Sequence, residues 1–501
     1  MPRFDVIVVG GGLGGLLCAN LLAKEGKNVA LVEKNPRLGG CLQSFMRDNV
    51  VFNTGLNYTE SLGSGEVLRR YFEFFDLMEG LHLRQMDVDG FEKISFADDP
   101  HEYPFAQGHD NFVECLSRYY PSQRSALQAY ISKIKSVCEA FPMYTLNPEI
   151  PKDMDHNVLS TSAYNVLKNV GSDFKLQQIL AGLNSLYGGV AERTPLYVHA
   201  LINNSFIRSS WRFVDGSSQL AAKITKSLLR HGGTLFLNNA VTAIGGDERC
   251  VRHIVLADGT QLETDRVISN LHPQSTLALT HDNLMKKAYR SRVDSLENST
   301  GMFTLYIVLK KNSFPYLNFN HHYFKEVNTW TVNDQPEAWP DNYMLYTPPS
   351  SRSDQWAEGL EVLTYMKWHE VAPWAEGSSV GRRHESYETF KKEKEERLID
   401  LVSRKFPQIR SCIDKVYSST PLTYLNYTGT PQGSAYGIMK DFHDPLKTII
   451  TPKTRIQGLY LTGQNLNMHG VLGVSIGAVL TCCEILGSDY LLSKLMKHGK
   501  A

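Results

Sequence analysis

The feature that most constrains this chain is a glycine turn set between two short apolar runs near its N-terminus. Phe4-Asp5-Val6-Ile7-Val8-Val9 is β-branched enough for a buried strand, and it runs straight into Gly10-Gly11-Gly12-Leu13-Gly14-Gly15. Helical periodicity follows in Leu16, Leu17, Asn20, Leu21 and Ala23 and ends near Gly26. A second strand, Asn28-Val29-Ala30-Leu31-Val32, then leads into Glu33. Strand, glycine turn, helix, strand and acid, in that order, make a dinucleotide site. Gly10 permits the tight turn, Gly12 lets the backbone approach a pyrophosphate, and Gly15 lets the helix sit close to the sheet. The phosphates meet a helix N-terminus, where free N–H groups and the dipole favour anions. Glu33 is placed to accept hydrogen bonds from the adenosine ribose, and its charge repels a 2′-phosphate.

The residues after this acid select FAD over NAD. Lys34-Asn35-Pro36-Arg37-Leu38-Gly39-Gly40 carries a second glycine pair, and Val51-Phe52-Asn53-Thr54-Gly55 sets another glycine where a flat ring can lie against backbone. Near the C-terminus, Gly458-Leu459-Tyr460-Leu461-Thr462-Gly463-Gln464-Asn465 reads as a strand entering a glycine turn. Gly470-Val471-Leu472-Gly473-Val474-Ser475 then opens an apolar helix, with its N-terminus expected near Gly473. That end is suited to the flavin ribityl chain and pyrimidine edge.

With 501 residues the chain exceeds one compact core, so two or more domains are expected. Lys plus Arg and Asp plus Glu are both 52, and a net charge of zero argues against a nucleic-acid partner. Eight scattered cysteines form no C-x-x-C pair, and no H-E-x-x-H-type cluster suggests a metal. Single thiols of this kind suit a reducing compartment and read as small buried hydrophobes. Phe4 to Val9 begins a strand at once rather than a signal peptide, and Val471 to Gly487 is shorter than the ~20 residues needed to cross a bilayer. A cytoplasmic protein, attached at most to a membrane surface, is expected.

The remaining motifs carry a resemblance over nearly the whole chain. Gly10 to Gly15, Glu33 and Leu38-Gly39-Gly40 match an FAD signature. Trp211-Arg212-Phe213-Val214-Asp215-Gly216-Ser217-Ser218 resembles the aromatic and glycine segment before a second FAD-binding stretch. Thr420-Pro421-Leu422-Thr423, Gly433-Ser434-Ala435-Tyr436-Gly437 and Tyr460-Leu461-Thr462-Gly463-Gln464 resemble later signatures of the same group. The sequence is similar to the phytoene desaturase, carotenoid isomerase and retinol saturase family of FAD proteins, most of all to its retinol saturase branch. It departs from that pattern at Asp215-Gly216, where many relatives have two glycines, and at Asn465, where an Asp often follows Thr-Gly-Gln.

The resemblance implies an α/β fold, with a Rossmann-type FAD-binding domain and a mixed-sheet α+β substrate domain, an architecture shared with flavin amine oxidases and GDI proteins. Segments 1–80, 205–280 and 445–501 would form the FAD domain, and 81–204 with 281–444 the substrate domain. The expected cofactor contacts are Gly10, Gly12, Gly15, Glu33, Lys34, Leu38, Gly39, Gly40, Gly55, Val241, Asn270, Gly463, Gln464, Gly473 and Val474. Local patterning agrees with strands at Met302 to Leu309 and Glu361 to Tyr365, and with helices over Asn111 to Ala140 broken at Pro121. Lys391 to Arg397 reads as a solvated helix face.

The implied activity is oxidation or reduction of carbon–carbon bonds in a hydrophobic polyene or isoprenoid, with the flavin carrying hydride and NAD(P)H open as the electron donor. Tyr58, Tyr436 and His469 are the candidates for proton transfer near the flavin, each with a wall-forming alternative. The apolar face of Glu66 to Met78 reads either as a lipid entrance resting on a membrane surface or as a core helix. Two other functions share the architecture. A flavin amine oxidase needs an aromatic cage for its amine, and Thr462-Gly463-Gln464 does not resemble the Gly-Glu motif usual there. A non-catalytic prenyl-lipid binding module has no need of an intact Gly10, Gly12, Gly15 and Glu33.

Overall fold

Val6–Val9 is the central strand of a five-stranded parallel sheet in the computed structural model, which describes residues 1–146, 156–247, 250–281, 284, 286–330, 338–375 and 384–497. The strand order is Thr234–Phe236, Val29–Val32, Val6–Val9, Val267–Ser269, Leu459–Leu461, with Ile7 level with both Ala30 and Val267. Both faces are covered, which explains the unbroken apolar runs. Val6 and Val8 face the helices Leu13–Lys24 and Gly470–Leu486. Ile7 and Val9 instead face a three-stranded antiparallel sheet of Val241–Asp247, Cys250–Leu256 and Gln261–Glu263. The architecture is α/β, a Rossmann-like FAD domain beside a mixed-sheet substrate domain.

The mixed sheet has seven strands, in the order Ile413–Ser419, Gly301–Leu309, Gly359–Met366, Asn342–Tyr346, Asn320–Phe324, Glu92–Phe96, Tyr103–Phe105. Only Asn320–Phe324 and Glu92–Phe96 pair in parallel. Register sets a polar row across it: Tyr306 is level with Glu361, Glu361 with Tyr346, and Asn320 with Glu92.

Arg212, on the strand Ser210–Phe213, ties this sheet to its surroundings and is almost fully buried. Its Nη1 donates to the carbonyls of Leu317 (2.7 Å) and Thr347 (2.9 Å), and its Nη2 to the Phe319 carbonyl (3.0 Å) and Asn320 Oδ1 (2.5 Å). Asn320 Nδ2 donates in turn to Glu92 Oε1 at 2.9 Å, and His322 Nε2 lies 2.9 Å from Glu92 Oε2. A buried cation is tolerable only with its donors satisfied, and the fork of a guanidinium meets several carbonyls at once.

Two expectations change, and one of two open readings is decided. The Glu66 to Met78 segment supplies the helix Val67–Phe74, whose Val67, Leu68, Tyr71, Phe72 and Phe74 are buried; its apolar face is core, not an entrance. The charged run lies on the helix Glu385–Lys405, but Lys394 turns inward, 5% exposed, and pairs with Glu370 at 2.5 Å over the Trp339 ring. A 3.6-residue period puts Lys394 on the buried stripe with Tyr387, Leu398 and Leu401, so helical phase outweighs the run's charge. The C-terminal helix starts at Gly470, one turn before Gly473. No helix among the described residues is long and apolar enough to cross a membrane.

Candidate functional site

The turn Gly10 to Gly15 opens into a cavity of about 560 Å³ that runs from the parallel sheet to the mixed sheet. Gly10 has φ +94°, and a Cβ on Gly15 would lie 2.0 Å from the Gly10 carbonyl oxygen, so both glycines are required to close the turn. The segment after Glu33 folds back onto it, with Gly39 N donating to the Gly11 carbonyl at 2.7 Å. Leu38 covers the outside of the turn, where a Cβ on Gly11 would meet its Cδ2 at 2.2 Å.

Asn270 follows the strand Val267–Ser269 and lies between the turn and Gly463. A Cβ on Gly12 would lie 2.8 Å from Asn270 Nδ2, and one on Gly14 would lie 2.9 Å from the nitrogen and Cα of Gly463. Three chain segments thus converge at a spacing that only bare backbone allows. A helix N-terminus borders them, because Gly470 to Val474 also line the cavity. This bare-backbone cradle fits the pyrophosphate and ribityl stretch of a dinucleotide.

At one end the cavity wall carries Glu33, Lys34, Asn35 and Val241. Glu33 Oε2 accepts from Gly11 N at 2.8 Å, and its Oε1 accepts from the backbone and side-chain nitrogens of Asn35, both at 2.9 Å. Lys34 Nζ reaches across to the Asn426 carbonyl at 2.9 Å, and Asn35 Nδ2 to the Tyr427 carbonyl at 3.0 Å. Burial pushes the Lys34 ammonium below its ordinary range.

Of the residues expected at the cofactor, Gly10, Gly12, Glu33, Lys34, Gly39, Gly40, Gly55 and Val241 line this one cavity. So do Asn270, Gly463, Gln464, Gly473 and Val474. Gly15 and Leu38 do not, and they shape the turn from behind.

Beyond the cradle the wall becomes apolar. Tyr197, Leu201, Ile202 and Phe206 come from the helix Leu196–Arg208, and Met302, Met344, Tyr346 and Leu363 from the mixed sheet. Tyr58, Tyr436 and His469 all lie here. Tyr436 Oη donates to the Ser185 carbonyl at 2.8 Å, and His469 Nε2 donates to the Leu186 carbonyl at 2.9 Å, with the two rings 4.7 Å apart. A carbonyl only accepts, so Nε2 holds the hydrogen and the neutral ring offers just an acceptor at Nδ1. Burial lowers the His469 pKa to about 4, which keeps the ring neutral. Tyr58 is different. Its ring packs on Phe206 (4.8 Å) and Tyr346 (5.8 Å), and its buried hydroxyl meets no hydrogen-bond partner among the described residues. Burial first, and then the charge of Glu92, push this phenol well above its usual range.

Glu60 was not anticipated from the sequence. It is 7% exposed, lines the cavity, accepts from Leu472 N at 3.1 Å through Oε1, and accepts from Thr59 Oγ1 at 3.1 Å through Oε2. Burial raises its pKa against these hydrogen bonds. The available signal was alternation: in an extended segment, Tyr58 and Glu60 point to the same side.

The pattern of a family of flavin containing amine oxidoreductases matches residues 13–486. Among curated proteins, the all-trans-retinol 13,14-reductase of Homo sapiens is 24% identical over 97% of this chain and 86% of its own length. A chloroplastic prolycopene isomerase 1 of an Oncidium hybrid cultivar is 22% identical over 98% of this chain and 85% of its own. Among solved structures, a putrescine oxidase bound to putrescine superposes with a TM-score of 0.67 at 14% identity, over 97% of this chain and 99% of that one.

Proposed function

This chain belongs to the family of flavin containing amine oxidoreductases and is an FAD-dependent oxidoreductase, and we propose that it acts on the carbon–carbon bonds of an apolar polyene or isoprenoid. The observation that carries this reading is the cavity wall beyond the cradle. Leu201, Ile202, Phe206, Met344 and Leu363 offer dispersion contacts to a hydrocarbon, and burying polar or charged groups against them is costly. Similarity to a retinol reductase and a prolycopene isomerase supports the same substrate class.

Bound FAD supplies or accepts the hydride. The chain's own residues do the rest. Gly10 and Gly12 would admit the pyrophosphate, and Glu33, Lys34 and Val241 would hold the adenosine. Gly39, Gly40, Gly55, Asn270, Gly463, Gln464, Gly473 and Val474 would hold the ribityl chain and ring. Tyr436 and His469, each fixed to a neighbouring carbonyl, orient the substrate rather than give it a proton. The apolar wall excludes water, which protects the hydride from loss to solvent.

The family match and the likeness to putrescine oxidase favour a second reading, oxidation of an amine. One experiment separates them. The FAD-loaded protein is reduced anaerobically and offered retinoids and carotenoids; in parallel the oxidised protein is offered primary amines and diamines. Loss of the long-wavelength polyene band supports the proposal. Unchanged polyenes together with amine-driven bleaching of the flavin would replace it. Bleaching by NADH or NADPH alone would identify the electron donor.

A further inference from the structure

A reductive turnover needs a proton as well as a hydride, and burial makes the wall phenols of Tyr144, Tyr197, Tyr346 and Tyr424 still weaker acids than usual. His469 presents an acceptor at Nδ1, and the Tyr436 hydrogen is held by the Ser185 carbonyl. His272, also in the wall, has Nε2 on Asn298 Oδ1 at 2.8 Å and Nδ1 accepting from Gln274 N at 3.3 Å. The carboxyls among the described lining residues are Glu33, held in the nucleotide turn, and Glu60.

We propose that Glu60 is the catalytic acid of this site, giving its carboxyl proton to the substrate carbon next to the one that receives hydride. The assignment rests on the polyene reading and goes beyond it by naming the proton donor. Its geometry is specific. The segment Thr59–Glu60 pairs with Ser210 and Trp211, which fixes the direction of the side chain. Oε1 is anchored by Leu472 N in the first turn of the helix Gly470–Leu486, so the carboxyl cannot swing out of the wall. Oε2 accepts from a neutral hydroxyl, that of Thr59, and is the oxygen left to carry the proton. Among the described residues no cation sets its ionisation; burial opposes the charged form, and backbone and hydroxyl donors partly favour it.

Acid strength separates Glu60 from Tyr58. An efficient general acid has a pKa near the operating pH. A carboxyl raised from the ordinary range moves towards that condition, whereas a phenol raised further from an ordinary value near 10 moves away.

The step balances. The alkene gains a hydride, with its electron pair, from the two-electron-reduced flavin and a proton from Glu60, and becomes a single bond with one new hydrogen on each carbon. The flavin is left oxidised, to be reduced again by an external hydride donor of the nicotinamide class. Glu60 is left as a carboxylate and recovers a proton from solvent.

Two measurements test the assignment. Infrared difference spectra of the FAD-loaded protein at neutral pH, wild type against Glu60→Gln, should show a protonated carboxylic C=O band that the substitution removes. If only a carboxylate band is lost, Glu60 holds no proton to give and the assignment falls. In reductive turnover of a retinoid in D2O, the wild type should place solvent deuterium on the product carbon that receives the proton. Glu60→Gln should slow that step about 100-fold or more, with FAD affinity and the rate of flavin reduction unchanged. Turnover that survives in E60Q, or a loss found in Tyr58→Phe instead, overturns the acid and leaves the polyene reading standing. A wild-type protein that oxidises or isomerises polyenes but reduces none overturns the acid alone, and one that leaves every polyene unchanged in both directions overturns both.

Discussion

Glu33 Oε2 accepts the backbone hydrogen of Gly11 at 2.8 Å, across the mouth of the glycine turn. The acid that ends the second strand therefore closes the first turn as well as lining the cavity. Its other oxygen is held by Asn35, so the carboxylate is fixed before any ligand arrives. Preorganisation of this kind lowers the cost of binding.

Replacing Glu33 by Ala should leave the Gly11 N–H without its partner and remove the ribose acceptor. An unpaired buried donor costs about 1–3 kcal/mol, so FAD affinity should fall by about tenfold or more while far-ultraviolet circular dichroism is unchanged. Flavin fluorescence titration reads the first quantity. Unaltered affinity would show that the ribose is held elsewhere.

Gly14→Ala tests the cradle from its other side. The new methyl would lie 2.7 Å from Asn270 Oδ1 and 2.9 Å from Gly463 backbone, and backbone cannot step aside cheaply. The variant should purify colourless and stay so after incubation with FAD and desalting. A yellow G14A protein with wild-type affinity would mean that the three segments have more freedom than their spacing shows.

Arg212→Met should be among the most destabilising single changes. It leaves the carbonyls of Leu317, Phe319 and Thr347 without their shared donor and strands Asn320 beside Glu92. Breaking a buried charged network typically costs about 3–5 kcal/mol. Chemical denaturation should show a clear fall in midpoint, and Arg212→Lys should recover little because an ammonium cannot form the fork.

The nucleotide turn was legible in the sequence because its signal is local: Val6–Val9, the glycines, the helix and Glu33 are contiguous, and each is required by the same turn. The strands Gly301–Leu309 and Gly359–Met366 and the helix break at Pro121 were legible for the same reason. Arg212 was not, since in Trp211-Arg212-Phe213 it looks like the solvent-facing member of an alternating strand; the carbonyls that bury it come from residues 317, 319 and 347. Glu60 was hidden likewise, because its anchor, Leu472, is more than four hundred residues away. Tyr436 and His469 were found as residues of the cavity, but nothing near them in sequence shows that their hydrogens go to Ser185 and Leu186.

Glu361 gives stability a pH dependence. It is buried, accepts from Asn53 N at 2.7 Å through Oε1, and its Oε2 has no partner among the described residues. Burial raises its pKa from an ordinary 4.5 to about 8. Between those values the folded state holds a proton that the unfolded chain has released, so stability falls as pH rises, by up to about 1.4 kcal/mol per pH unit from this group alone. Below the lower value both states are protonated and the effect vanishes. Glu361→Gln should therefore raise the melting temperature at pH 8, with a gain that fades towards pH 4.5. A constant difference across that range would place the titration on another group.

The outermost strand of the parallel sheet, Leu459–Leu461, follows its neighbour Val267–Ser269 by about 190 residues, and Gly463 just after it forms one wall of the cradle. During synthesis, the ribosome must therefore release that whole intervening stretch before the wall exists. Until then the strand Val267–Ser269 is an uncovered sheet edge, open to pairing with other chains. Cofactor capture thus waits on residues far along the chain from the glycine turn. Supplying riboflavin to the expressing cell should increase the soluble yield as well as the colour, because FAD binds only the completed chain and draws it away from the aggregation-prone state.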